Sequence, residues 1–193
     1  MAFELPLRIQ TSDEWLQVVM SDFDEFLRDH ADCERKASAQ AISLVSRFPD
    51  MAALCEPMIT LAKEELQHFH EVYRILQKRG SAWKQSGKDE YVRMLVAWAR
   101  HGDREHLLDR LLISSVIEAR GCERLRMVAE ALSDSDLKSF YMRLAKEEAG
   151  HYRVFLRVAE QYYESSEIED RMNSLLDHEA KVIAAVPIRA AVH

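Results

Sequence analysis

The sequence predicts an all-α four-helix bundle with additional short helices, and three observations predict it. Only 5 Gly and 4 Pro interrupt 193 residues, too few turn formers for an all-β chain. Apolar residues recur at steps of three and four, as in Phe23, Leu27, Ala37, Ala41 and Leu44. Capping residues, not strand-like alternation, separate these stretches. With 48% hydrophobic residues the chain is long enough to bury one core, so a single domain over residues 1–193 is expected.

Each element has its local reason. Thr11-Ser12-Asp13-Glu14 reads as a capping box with Thr11 as N-cap. One long helix follows, stopped at Phe48 because the residue before Pro49 avoids the α region. A second runs from about Asp50 to Arg79, with Pro57 starting or kinking its main part and Gly80 at its C′ position. Ser81 to Lys88 reads as a loop, and Asp89 to His101 as a shorter helix ended by Gly102. Asp103 can cap a third long helix reaching about Leu132, and Ser133 to Asp136 cap a fourth reaching about Tyr163. Ser166 and Glu169 open a last helix over about 167–185, outside a core bundle of about 12–163.

Composition removes several classes of function. A net charge of −7 argues against coating nucleic acid through bulk charge. Cys33, Cys55 and Cys122 form no Cys-x-x-Cys pair, so no zinc ribbon, thioredoxin-type or rubredoxin-type site is indicated. Sparse thiols fit a reducing compartment. The first ten residues lack a signal-peptide pattern, and no apolar run approaches the ~20 residues a membrane span needs. The expectation is a cytoplasmic protein without membrane contact.

A repeat carries the chemistry. Leu61-Ala62-Lys63-Glu64-Glu65 recurs as Leu144-Ala145-Lys146-Glu147-Glu148, 83 residues on. Three positions beyond the last Glu stands a histidine in each copy, His68 and His151. Glu34 lies 31 residues before Glu65, and Glu118 lies 30 before Glu148. One Glu from each of two helices, with Glu-x-x-His from each of the other two, is the ligand set of a carboxylate-bridged di-metal site in a helical bundle.

The helical face selects among neighbouring carboxylates. Leu61, Glu65, His68 and Val72 share one stripe, as do Leu144, Glu148, His151 and Phe155. Glu64 and Glu147 turn toward the rim. Leu111, Ser114, Glu118, Cys122 and Leu125 form an inward stripe, whereas Glu123 shares a face with Arg126 and Glu130 and is set aside. Four carboxylates and two imidazoles suit Fe or Mn better than Cu(I), and zinc favours fewer ligands. Inward carboxylates without a metal would cost several kcal/mol each or protonate. His30, one turn before Glu34, is a core histidine or a supporting group of the site. His70, His101, His106 and His178 read as surface residues, and Cys33 and Cys122 as small core residues.

The stretches His30-Ala31-Asp32-Cys33-Glu34-Arg35-Lys36-Ala37, Glu64-Glu65-Leu66-Gln67-His68-Phe69, Ile117-Glu118-Ala119-Arg120-Gly121-Cys122-Glu123-Arg124 and Glu148-Ala149-Gly150-His151 resemble the bacterial tRNA 2-methylthio-N6-isopentenyladenosine hydroxylases. The resemblance extends over nearly the whole chain and rests most on the Ile117–Arg124 stretch. It implies a ferritin-like, non-haem di-iron monooxygenase that hydroxylates the isopentenyl group of the modified adenosine beside the anticodon. Two Fe ions, O2 and two electrons from an external ferredoxin- or reductase-type donor are implied. Glu65 and Glu148 would bridge the metals, Glu34 and Glu118 would be terminal ligands, and His68 and His151 would supply one imidazole per iron. A monomer or small homo-oligomer is expected.

A tRNA substrate asks where the positive charge lies. From Arg74 to Arg126 the chain carries 12 basic against 7 acidic residues. Lys78, Arg79, Lys84, Lys88 and Arg93 are the expected tRNA contacts, joined in this segment by Arg100, Arg104, Trp83 and Tyr91. The same bundle also serves rubrerythrin-like peroxidases, manganese catalases and ferritin-type iron storage. The missing Cys-x-x-Cys pairs weaken the first, and the basic middle segment has no purpose in the first two.

Overall fold

The computed structural model describes residues 5–85, 87 and 89–193. Seven helices and no strand stand among them: α1 (Asp13–Ser21), α2 (Phe23–Arg47), α3 (Ala52–Lys78), α4 (Glu90–Ala97), α5 (Asp103–Ala131), α6 (Ser135–Ala159) and α7 (Ser165–Ala185). No described helix is long and apolar enough to cross a membrane.

The long first helix of the sequence reading is broken at Asp22. Asp22 leaves the helical region (φ −137°, ψ 64°), and its carboxylate accepts the Glu25 N–H. Asp22 followed three residues later by Glu25 is itself a capping signature, with Asp24 and Glu25 favourably placed on the helix dipole. Thr11 caps no helix in the expected way. Its N–H and hydroxyl both donate to the Glu123 carboxylate, at 3.0 and 2.7 Å.

Other boundaries follow the local chemistry. At the end of α3, Gly80 takes φ +69°, which an L side chain resists. Its N–H reaches the Gln77 carbonyl and that of Ser81 reaches Leu76, both at 3.0 Å, so the last carbonyls are satisfied by a Schellman closure. Asp89 and Asp134 cap α4 and α6 through their side chains. Gly102, not Asp103, occupies the N-cap of α5. α7 begins before the expected Ser166 box, with Glu164 at its N-cap and no side-chain cap bond.

The chain divides into two units, one formed by residues 14–87 and 189–192, the other by described residues up to Asp13, 89–188 and His193. In the first, α2 and α3 pair across the short turn at 48–51 and bury Phe26, Leu27, Ala41 and Leu44 against Leu54, Met58, Leu61, Val72 and Leu76. Trp15 meets the Phe26 ring edge-on, and its indole N–H donates to Ala191 at 3.0 Å. The Val192 N–H donates to the buried Asp29 carboxylate at 2.8 Å, tying the 189–192 segment to α2.

In the second unit α5 pairs with α6, and α4 and α7 pack with it. α5 is buried on nearly every side, so it carries polar groups that must be paired inside. Asp109, fully buried, accepts from the Arg100 backbone and guanidinium and from the Arg171 guanidinium, all between 2.7 and 3.1 Å. Arg171 also lies 3.3 Å over the Trp98 ring, which stacks on His178. Two arginine partners hold the Asp109 carboxyl below its usual range, although burial works against them. The sign follows: the stability from these pairs is complete above the unfolded pKa of about 3.9 and is lost as pH falls through the lower folded value. Asp109→Ala should cost about 3–5 kcal/mol, because both guanidiniums lose their anion. Asp109→Asn should also flatten the acid limb of stability against pH. Urea titrations from pH 3 to 7 measure both, and an unchanged acid limb would refute the assignment.

Candidate metal centre

α2 and α3 bring Glu34, Glu65, His68 and His30 together. His68 Nδ1 lies 3.3 Å from Glu65 Oε2 and 3.8 Å from Glu34 Oε2. His30 Nε2 lies 2.6 Å from Glu34 Oε1. All four side chains are buried, Glu65 and His30 completely. Burial pushes the Glu34 carboxyl up, but the hydrogen bond with His30 and the nearby His68 imidazole outweigh it and hold the group well below the usual carboxylate range. The helix pair thus keeps an ionised carboxylate in a dry interior.

α5 and α6 repeat the arrangement. His151 Nδ1 lies 3.0 Å from Glu148 Oε2, the same atom pair as His68 and Glu65, and both residues are buried. Glu118 is half-buried on α5, one turn before Cys122. Cys122 is a packing thiol: burial, and then the Glu148 charge, push its pKa to about 11.

One recurring hydrogen bond marks the register of both helix pairs. Ser38, four residues after Glu34, donates its hydroxyl to the Ala62 carbonyl at 2.8 Å. Cys122, four residues after Glu118, donates its thiol to the Ala145 carbonyl at 3.0 Å. Ala62 and Ala145 each stand three residues before the Glu of Glu-x-x-His. The duplication seen in the sequence is therefore also one of contacts. Besides the exchange of Ser38 for Cys122, the halves differ one turn before the first Glu, where the position of His30 is taken in α5 by Ser114.

The residues fit a di-metal group. Within each helix pair a buried Glu and His, Glu65 with His68 and Glu148 with His151, offer hard oxygen and borderline nitrogen donors, which suit iron or manganese.

The expected tRNA contacts have mixed placements. Lys78 and Lys84 are exposed. Arg79 is exposed but pairs with Asp24 at 2.6 Å and lies over the Phe23 ring. Arg93 pairs with Glu90 of its own helix. Lys88 lies outside the described residues. Other members of the basic segment serve the fold. Arg100 holds Asp109, Arg104 pairs with Glu167 and covers the Tyr163 ring, and Tyr91 is buried with its hydroxyl on Glu179. His106 and His178 are half-buried and bond backbone carbonyls, contrary to a surface assignment, while His70 and His101 are exposed.

Sequence reasoning missed a buried polar network. Glu123 is not on an outer face: it is buried and paired with Arg120 and Thr11. Arg120, fully buried, also donates to Glu179 at 2.6 and 3.0 Å and to the Ile9 carbonyl at 2.9 Å. Beside it, burial and then the Arg120 charge lower Arg124 to about 10, so it stays protonated at neutral pH. The available signal was four ionisable residues within a stretch also rich in small apolar ones.

Comparisons with known proteins agree with this geometry. The family model described as tRNA-(MS[2]IO[6]A)-hydroxylase (MiaE) matches residues 3–193. A Pseudomonas putida protein named tRNA 2-(methylsulfanyl)-N(6)-isopentenyladenosine(37) hydroxylase is 34% identical over 158 residues, 82% of this chain and 77% of that protein. A Salmonella typhimurium protein of the same name is 34% identical over 130 residues, 67% of this chain and 47% of its own length. The solved structure of a Synechococcus protein with aldehyde deformylating oxygenase activity superposes with a TM-score of 0.90 at 31% identity, covering 98% of this chain and 93% of that one. The fold class is all-α and ferritin-like.

The recurring register bond is open to test. Ser38→Ala and Cys122→Ala should each cost about 1 kcal/mol of unfolding free energy, while Cys122→Ser keeps the bond and most of the stability. Equal urea midpoints for Cys122→Ala and the parent would remove the pin.

Proposed function

The chain belongs to the tRNA-(MS[2]IO[6]A)-hydroxylase family, and from that premise we propose that it is a di-iron monooxygenase acting on tRNA. Its reaction is hydroxylation of the isopentenyl group of 2-methylthio-N6-isopentenyladenosine beside the anticodon. The observation that carries the reading is the repeated half-site: a register bond and a buried Glu-x-x-His in each helix pair. The two halves work as one ferritin-like domain over residues 1–193.

In this reading Glu34, Glu65, His68, Glu118, Glu148 and His151 would hold the two metals. Bound iron supplies the activation of O2, with two electrons from an external donor. The chain's own residues do the rest. Four carboxylates offset the charge of two divalent ions, and apolar stripe neighbours such as Leu61, Val72, Leu144 and Phe155 exclude water. His30 orients Glu34 by direct hydrogen bonding.

Metal analysis and nucleoside mass spectrometry test the reading together. Purified protein should carry about two irons per chain, and the reduced form with O2 should add one oxygen to the isopentenyl group of modified tRNA. Iron without nucleoside oxidation would overturn the substrate; no metal uptake on reconstitution would overturn the ligand set.

Substitutions separate the roles. Glu65→Ala and His151→Ala should abolish metal-dependent turnover while circular dichroism keeps the helix content. Glu118→Ala should lose far more activity than Glu123→Ala, whose main defect is a lower melting temperature. His30→Ala should weaken iron binding by about 10–100-fold in a metal titration, with Glu34 still present but less well oriented. Unchanged iron affinity would reduce His30 to a packing residue.

A further inference from the structure

The flank of α3 that turns away from Glu65 and His68 carries an organised surface with no role in the metal site. Leu66, Phe69 and Tyr73 follow one another at steps of three and four, and Lys63, Gln67, His70 and Arg74 form the adjoining row. Together they line a surface hollow of about 520 Å³, Arg74 standing just beyond it. That volume lies within the ~300–1,000 Å³ range of small-ligand sites. Leu66 is 55% and Tyr73 37% exposed, two large apolar side chains on the same side of one helix about two turns apart. The aromatic rings are held in place from behind. Phe69 lies 6.1 Å from Tyr73, and the Trp83 ring packs edge-on against Phe69 at 5.5 Å.

We infer that this hollow is a stacking shelf for an unpaired nucleotide of the RNA substrate. The inference rests on the tRNA reading above and adds a binding surface to it. Three features select that occupant. A base offers a flat π-face, and exposed aromatic side chains are the usual platform for it. A phosphate needs cations at the edge of such a platform, and Lys63, His70 and Arg74 supply that row, with Lys78 one turn on and Lys84 in the following loop. Among the described residues, the hollow is lined by no carboxylate. Of the acids on the same helix, Glu71 accepts from the Gln67 amide at 3.0 Å, and Glu64 follows Lys63 in the chain. A second copy of the chain is a poorer occupant, since it would set two such basic rows against each other.

This surface overlaps the basic segment read from the sequence only at Arg74, Lys78 and Lys84. There, Arg79, Arg93, Arg100 and Arg104 are paired with acids of the chain. On α3 the cations stand beside exposed rings instead.

The test uses the full iron-loaded chain with two probes: a labelled single-stranded RNA oligonucleotide in fluorescence anisotropy, and modified tRNA in the hydroxylation assay. Tyr73→Ala and Lys63→Glu change exposed side chains, so circular dichroism and iron content should stay at parent values. The expected result is roughly tenfold weaker oligonucleotide binding for Tyr73→Ala, and a matching rise in KM for tRNA. Parent-like affinity and KM in both variants would overturn the shelf, as would an oligonucleotide that binds neither parent nor variant. A dimer seen by light scattering and split by Leu66→Asp, with RNA affinity intact, would also overturn it. The two readings fail separately: oligonucleotide binding lost in Tyr73→Ala while the parent leaves tRNA unoxidised keeps the shelf and removes the hydroxylase. Hydroxylation with unchanged KM in Tyr73→Ala does the reverse.

Discussion

An ionised carboxylate held inside a helix pair is the constraint on which this molecule turns. Burial alone would protonate such a group or expel it. Glu34 stays ionised because His30 and His68 reach it from one turn before and from the facing helix. That solution works only if the two helices keep one register, since a slip of one residue rotates the carboxylate by about 100°. The Ser38 bond to Ala62, and its counterpart from Cys122 to Ala145, mark that register next to the groups that depend on it. Stability and chemistry therefore meet at the same turn of helix in each half.

Duplicated architecture need not mean equal halves. His30 is matched in α5 by Ser114, so the carboxylate of one half has an imidazole one turn earlier and the other a hydroxyl. An imidazole within hydrogen-bonding reach restricts a carboxylate to fewer positions than a short hydroxyl can. The halves thus share their register bonds but support the carboxylate that precedes them with different side chains.

Much of this was legible in the sequence, and the reasons are physical. Glu-x-x-His at i and i+3 fixes two groups on one helical face, and the shared stripes with Leu61, Val72, Leu144 and Phe155 turn that face inward, so Glu65, His68, Glu148 and His151 could be placed in the core. Helix ends set by Pro49, Gly80 and Asp134 were equally local. The break at Asp22 was missed because the apolar period runs through it without interruption, and a kink keeps that period. Glu123 was misplaced for a different reason. A face shared with Arg126 and Glu130 looks solvated, but α5 is enclosed on almost all sides, and enclosure is a tertiary property. The register bond escaped because Ser38 and Cys122 differ in type while doing one job.

Charge shows the same limit most clearly. Counting residues from Arg74 to Arg126 suggests a basic surface, yet Arg120 is buried against Glu123 and Glu179, and Arg100 is paired with the buried Asp109. A buried guanidinium satisfied by carboxylates contributes little field at the surface, because its charge is cancelled within a few ångströms. What an anionic partner meets is set by cations that no acid neutralises at close range. An acidic chain of net charge −7 can therefore present a local anion-binding face, provided its acids are spent on its own arginines. On this reasoning the exposed row of α3 matters more to a polyanion than the larger count of basic residues that follows it.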